Sequence, residues 1–180
     1  MANALRLKPL LMTQRYAGLR LSDANKLMPT QIQGNRIVIE ETTKTGTGIY
    51  VTVPPNYLVE MTKVDKKSPS YFFWSGNGDP VTQVKDWQAL ILQAFTRAKI
   101  AKGATQMMSH RMRDTFAKDY METGGDIEDL ARILGHGNSN ITRKYYLKWS
   151  VGKVRAAAQA KKTWKRDPLQ NPSLLERKAS

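Results

Sequence analysis

The chain has 180 residues, the length of one domain or at most two small ones. Lys and Arg number 29 against 15 Asp and Glu, a formal net charge of +14, and a hydrophobic content of 41% is enough to fill a core. The absence of cysteine excludes a disulfide framework, a thiol nucleophile and every Cys-based metal centre. The two histidines have no carboxylate cluster beside them, no apolar run approaches the ~18 residues of a membrane span, and no secretory pattern opens the chain.

Ala2 to Gln14 reads as a helix, because Leu5, Leu7, Leu10 and Leu11 recur near helical spacing and Pro9 is tolerated if it lies in the first turn. Gly18 breaks it, and Ser22 then caps a short helix to about Met28 with Asp23 in its first turn. Arg36 to Glu40 and Gly48 to Val53 are rich in β-branched residues and flank Thr43 to Thr47, the pattern of a hairpin. Pro54-Pro55 ends it, and a helix from Asn56 to Val64 and a polar loop from Lys66 to Ser70 follow. Tyr71 to Trp74 reads as a short buried strand or bend. Asp79-Pro80 is a strong helix start, and Val84, Trp87, Ile91, Ala94, Phe95 and Ala98 mark one face of the helix after it. A helix from Ser109 to Glu122 stops at Gly124-Gly125, Asp126 caps another that stops at Gly135, and a further one runs from Asn140 to Trp149. An Ala/Lys/Arg helix after Val151 and a loose polar tail from about Asp167 complete the chain. The fold class is mainly α with a small antiparallel β-sheet.

The charge gathers at one end. Residues 1–142 carry 18 basic and 13 acidic side chains, whereas residues 143–180 carry 11 and 2. Such a basic segment points to a polyanion, and it lacks the bulky apolar face of an interfacial helix, so nucleic acid is favoured over a membrane. A solvated tail that only aids solubility is the plainer alternative.

Several residues are suited to phosphate chemistry. His110 and Arg113 share one helix face at a spacing of three, pairing an imidazole with a guanidinium fork. Phe116, Ala117 and Tyr120 supply that helix with a core stripe. Leu134-Gly135-His136 places a histidine in the turn that ends a helix, and Tyr145 follows nine residues later, with Tyr146 beside it. A phenol of pKa ~10 is a poor nucleophile unless cations or a base activate it. Arg20 sits at a helix junction behind Gly18, near Asp23, and Lys44 stands at the hairpin tip. Taken singly, each has a plain structural explanation: a solvated helix face, a turn His, a core Tyr, a surface ion pair or a hairpin-edge Lys.

In order, Gly-Leu-Arg20, a hairpin Lys44, His110-x-x-Arg113, Leu-Gly-His136 and Tyr145 resemble the catalytic domain of tyrosine recombinases, the phage-integrase family. The resemblance covers about Leu5 to Trp149 and implies the DNA breaking-rejoining type of fold. It implies a catalytic domain over 1–150 without the family's N-terminal DNA-clamping domain, and a basic C-terminal helix and tail over 151–180. By the same resemblance Arg20, Lys44, His110, Arg113, His136 and Tyr145 are the expected catalytic residues, with Tyr146 the rival nucleophile. The family often has Leu before the second arginine and a basic residue after it. Here Met112 retains the packing role, and Asp114 puts a carboxylate beside the guanidinium.

The implied chemistry is site-specific recombination that uses neither metal nor ATP. Tyr145 attacks a scissile phosphate, forming a 3′-phosphotyrosyl link and freeing a 5′-hydroxyl. Arg20, Arg113 and His136 stabilise the negative transition state, Lys44 protonates the leaving oxygen, and His110 accepts the tyrosyl proton or orients the phosphate. Expected partners are double-stranded DNA and, through residues Val151 to Trp164, a homotetramer on DNA. No cofactor and no membrane partner are expected, and the expected location is a bacterial or phage-derived cytoplasm. A topoisomerase-like relaxing activity and a non-enzymatic DNA-binding remnant are the alternatives.

Overall fold

A computed structural model describes residues 2–42, 46, 48–100, 108–136 and 138–150, with the side chains of residues 2–4 left out. Seven α-helices and one three-stranded sheet make up these residues: α1 (Ala2–Ala17), α2 (Leu21–Asn25), β1 (Ile32–Gln33), β2 (Arg36–Ile39), β3 (Ile49–Thr52), α3 (Pro55–Thr62), α4 (Pro80–Arg97), α5 (Arg111–Glu122), α6 (Ile127–Ile133) and α7 (Ser139–Tyr146). The sheet is antiparallel in the order β1-β2-β3, with Arg36 opposite Thr52 and Ile39 opposite Ile49. Alternation along β2 and β3 buries Ile37, Ile39, Ile49 and Val51 on one face. Among the described residues, no helix is long and apolar enough to cross a membrane.

Helix starts follow local chemistry. The Asp79 carboxylate accepts from the Val81 amide at 2.9 Å, and Asp126 accepts from Glu128 and Asp129 at 2.7 and 3.1 Å. Asn138 caps α7 by accepting from Asn140 at 2.8 Å. Helix ends at Gly18, Gly124 and Gly135 fall where the backbone takes positive φ.

Several expectations need correction. Pro9 lies in the interior of α1, and the helix runs on to Ala17. The removed amide donor is tolerated because the helix is held by tertiary packing, with Leu10 fully buried and Thr13 Oγ1 bonded to the Pro9 carbonyl at 2.9 Å. Ser22 does not cap α2. Arg20 occupies the cap position with extended backbone, and α2 ends at Asn25. Strand β1 has only two residues and no periodic pattern to announce it. Of the two forms expected for Tyr71 to Trp74, the bend is the one found, tied by Phe72 N–H to the Leu27 carbonyl and Trp74 N–H to the Asn25 carbonyl. Met108–His110 forms a 3₁₀ turn, so His110 precedes α5, and Leu147–Trp149 forms another after α7. Ala98, expected on the buried face of α4, is exposed at its end. The helix expected after Val151 lies outside the described residues.

The main core joins α1, the sheet, α3 and α4 around Leu10, Ile37, Tyr57, Phe73, Trp87 and Ile91. A smaller core joins α5 and α6 around Ala117, Met121, Leu130 and Leu134. Phe116 packs on both, and a Cβ on Gly18 would stand 2.6 Å from its ring, so the end of α1 abuts α5. Arg15 of α1 also pairs with Asp119 of α5. This junction places the Gly18-to-Arg20 turn beside Arg113.

Buried Arg6, which sequence patterning did not single out, donates to the Phe72 carbonyl at 3.1 Å and to that of Phe73, and lies 5.5 Å from the Trp87 ring. Trp87 Nε1 in turn donates to Asn25 Oδ1 at 3.0 Å. These bonds tether the Tyr71–Trp74 bend to α1, and α2 to α4.

Candidate active site

The site forms where three turns meet: the Gly18–Arg20 turn after α1, the start of α5, and the Leu134–His136 turn after α6. Arg113, on the first turn of α5, is 3% exposed. Its Nη1 donates to the Gly18 carbonyl at 2.6 Å, and its Nη2 to the Leu134 carbonyl at 2.6 Å. Nη2 also lies 3.1 Å from His136 Nε2. Main-chain carbonyls orient this guanidinium without cancelling its charge. Burial first, and the neighbouring Arg20 cation second, lower the Arg113 pKa to about 10.

Guanidinium nitrogens only donate, so His136 Nε2 is the acceptor and the proton lies on Nδ1. That nitrogen is 2.7 Å from Thr142 Oγ1 on α7. Thr142 is fully buried, and sequence reading passed over it. A threonine three residues before Tyr145 carries no pattern of its own, and its role comes only from the turn that folds His136 back onto α7.

Arg20 caps α2 and donates from Nη2 to the Gly135 carbonyl at 3.0 Å. Its Nη1 is buried and makes no hydrogen bond among the described residues. Gly135 has a φ of +60°, and a Cβ there would stand 3.2 Å from that Nη1 and 3.5 Å from Thr42. Glycine therefore serves both the turn and the close approach of the cation. Arg20, Arg113 and His136, up to 116 positions apart in sequence, are thus brought together. Asp23 is buried, and its negative charge acts on Arg113.

His110 is half-buried at the cap position before α5, with Nδ1 3.5 Å from Ser109 Oγ. Tyr145 sits in the last turn of α7, 53% exposed, with the Lys144 ammonium 5.7 Å from its ring centre. Tyr146 turns the other way, and its hydroxyl donates to Asp114 Oδ1 at 2.5 Å. Burial, then that hydrogen bond, push the Tyr146 phenol well above its ordinary range. Lys44 lies outside the described residues. Among the described residues, no group of three or more His, Asp or Glu is placed to hold a metal ion.

The profile of the phage integrase family matches residues 1–150. The chain belongs to the phage integrase family. A protein of Sinorhizobium fredii named as an integrase/recombinase, y4qK, is 32% identical over 154 residues, covering 83% of this integrase-family chain and 48% of its own length. The chain spans about half the length of the curated relatives it matches. The catalytic domain of bacteriophage HP1 integrase superposes with a TM-score of 0.58 at 24% identity, covering 91% of this chain and 83% of that one. The XerH site-specific recombinase bound to its difH substrate superposes at 0.60 and 18% identity, covering 81% and 43%. The mainly helical fold with a small antiparallel sheet is that of tyrosine recombinase catalytic domains.

Proposed function

We propose that residues 1–150 form the catalytic portion of a site-specific DNA recombinase that cleaves and rejoins duplex DNA through a 3′-phosphotyrosyl intermediate on Tyr145. The observation that carries this reading is the Arg20–Arg113–His136 cluster: two guanidinium groups held by the carbonyls of Gly18, Leu134 and Gly135, and an imidazole held between Arg113 and Thr142. Such fixed donors suit a phosphate whose non-bridging oxygens gain charge during attack, because they need no reorganisation as that charge develops. The Arg20 Nη1, buried and without a hydrogen bond among the described residues, is a donor still to be used.

In this reading Tyr145 attacks the phosphorus, and the 5′-oxygen of the next nucleotide departs. Lys44 gives the leaving oxygen its proton, and His110 takes the tyrosyl proton or orients the phosphate. The bond energy is retained in the phosphotyrosine, so the freed 5′-hydroxyl reverses the step or joins a new strand. When phosphate arrives, Arg113 exchanges its bond to His136 Nε2 for one to phosphate oxygen. The imidazole then loses its Nδ1 proton to solvent and takes one from solvent at Nε2, so that Thr142 donates to Nδ1 and the Nε2 proton faces the phosphate. The partner is double-stranded DNA, supported by the net charge of +14 and by the DNA-bound state of the XerH neighbour. A homotetramer on DNA, joined through residues 151–164, completes the proposal.

The test uses the full chain and a pool of nicked duplexes with a randomised central segment, whose cut strand cannot be religated. Denaturing gels should show a covalent protein–DNA adduct with the wild type and none with Tyr145→Phe, while both bind the pool equally. An adduct that survives Tyr145→Phe rejects the assignment. Binding without any adduct supports the DNA-binding remnant.

A further inference from the structure

Helix α7 is short, and Thr142 is the one residue of Ser139–Tyr146 that is fully buried. The apolar packing of α7 rests largely on the Tyr146 ring, which lies partly buried against the smaller core, and polar contacts fix how that face is held. Thr142 and Tyr146 are four apart and share one face. The first bonds His136 at 2.7 Å and the second bonds Asp114 at 2.5 Å. Asp114 directly follows Arg113 on α5, so the Tyr146 hydroxyl is tied to the element that carries the buried guanidinium. Tyr145 is one residue, about 100°, away from Tyr146 around the helix. Whatever fixes the Tyr146 ring thus fixes where the Tyr145 ring can go.

We infer that Asp114 and Tyr146 are a pair of positioning residues, whose hydrogen bond sets the rotation of α7 and so aims Tyr145. The inference rests on the reading of Tyr145 as the nucleophile. It gives a use to the carboxylate after Arg113, which departs from the family's pattern, and to the tyrosine beside Tyr145. Neither side chain is placed to touch the reacting atoms. Asp114 is an acceptor occupied by Tyr146, and the Tyr146 phenol holds its proton through burial and that bond. Surface contacts assist without replacing the pair: Arg143 of α7 also meets Glu128 of α6, but both side chains are more than 40% exposed.

Two readouts test this on the full chain. In the first, single-turnover adduct formation is followed on the nicked duplex pool with Asp114→Ala, Tyr146→Phe, the double variant and Asp114→Asn. Each single variant should slow the adduct about tenfold at unchanged DNA affinity, corresponding to about 1.4 kcal/mol of barrier. The double variant should be no slower than either single one, because both remove the same bond. Asp114→Asn keeps one carbonyl acceptor and should recover most of the rate. In the second, the protein carries 3-fluorotyrosine and no DNA, and the Tyr145 fluorine resonance is assigned by its loss in Tyr145→Phe. It should move or broaden in both Asp114→Ala and Tyr146→Phe and stay in place in Asp114→Asn. A Tyr145 resonance unchanged in the first two variants overturns the inference, as do wild-type adduct rates or rate losses that multiply in the double variant. If the wild type forms no adduct yet the resonance moves as described, the pair stands and the strand-cleavage reading falls.

Discussion

Individual side chains in this protein owe their behaviour to what surrounds them more than to what they are. Tyr57 is fully buried and bonded to Thr13 Oγ1 at 3.1 Å, and burial pushes its phenol up to about 12. The unfolded phenol ionises near ~10. A group whose folded pKa is raised contributes stability that is complete below the unfolded value and lost as pH rises through the folded one. The chain should therefore lose on the order of 1 kcal/mol through Tyr57 alone by pH 11. Urea denaturation at pH 8 and pH 11 should show a smaller alkaline loss in Tyr57→Phe than in the wild type, and equal losses would refute the assignment. Legibility at this scale was uneven. Arg20, Arg113, His136 and Tyr145 are legible through the resemblance of their order to the phage-integrase pattern, since taken singly each has a plain structural explanation. Thr142 and Arg6 could not, since a hydroxyl bonded to an imidazole and an arginine buried under Trp87 arise from contacts that no local pattern encodes. Asp114 was noticed as a charge beside Arg113, but its acceptor role needed Tyr146, 32 positions away.

Elements were legible where an end carries its own chemistry. Asp79-Pro80, Asp126 and the glycines at 18, 124 and 135 punctuate the chain, and the helices begin or end at them. Where tertiary packing overrides local preference the reading slipped. Proline entered the middle of α1, and Ser22 gave up the cap to an arginine that docks on Gly135. Gly18 shows how much one turn carries. It has a φ of +65° and a Phe116 ring carbon 2.6 Å from where a Cβ would stand, and its carbonyl accepts from Arg113. Gly18→Ala should cost about 2–4 kcal/mol, combining left-handed backbone strain with overpacking. Gly34, in the β1–β2 turn, has a φ of +61° and open space around it, so Gly34→Ala should cost only about 1–2 kcal/mol. Thermal unfolding of the two variants isolates the Phe116 contact, and equal shifts would show that the α1–α5 junction is looser than described.

For the whole molecule, charge and site act at different ranges. The basic excess of residues 143–180 is suited to non-specific attraction along a duplex, and the proposed function gives the Arg20–Arg113–His136 cluster a single phosphate to bind. Each neutralised phosphate contributes about −0.9 to the slope of log K against log salt. Removing residues 151–180 deletes eight Lys and Arg, and if half of these meet phosphates the slope should become shallower by about 3–4. Fluorescence anisotropy across salt concentrations measures it, and an unchanged slope would mean that the tail does not touch DNA. The class of fold was legible from alternating helix signals around one hairpin, whereas the meeting of three turns to make a cationic cluster was visible only in three dimensions. In the proposed mechanism Tyr145, and not its neighbour, becomes joined to DNA. Tryptic cleavage after Lys144 and Lys148 releases Tyr145 to Lys148 as one peptide, and fragment-ion mass spectrometry of the trapped adduct locates the nucleotide within it. The account predicts a 3′-linked nucleotide on Tyr145 with Tyr146 unmodified; a nucleotide on Tyr146, or on any residue outside this peptide, would contradict it.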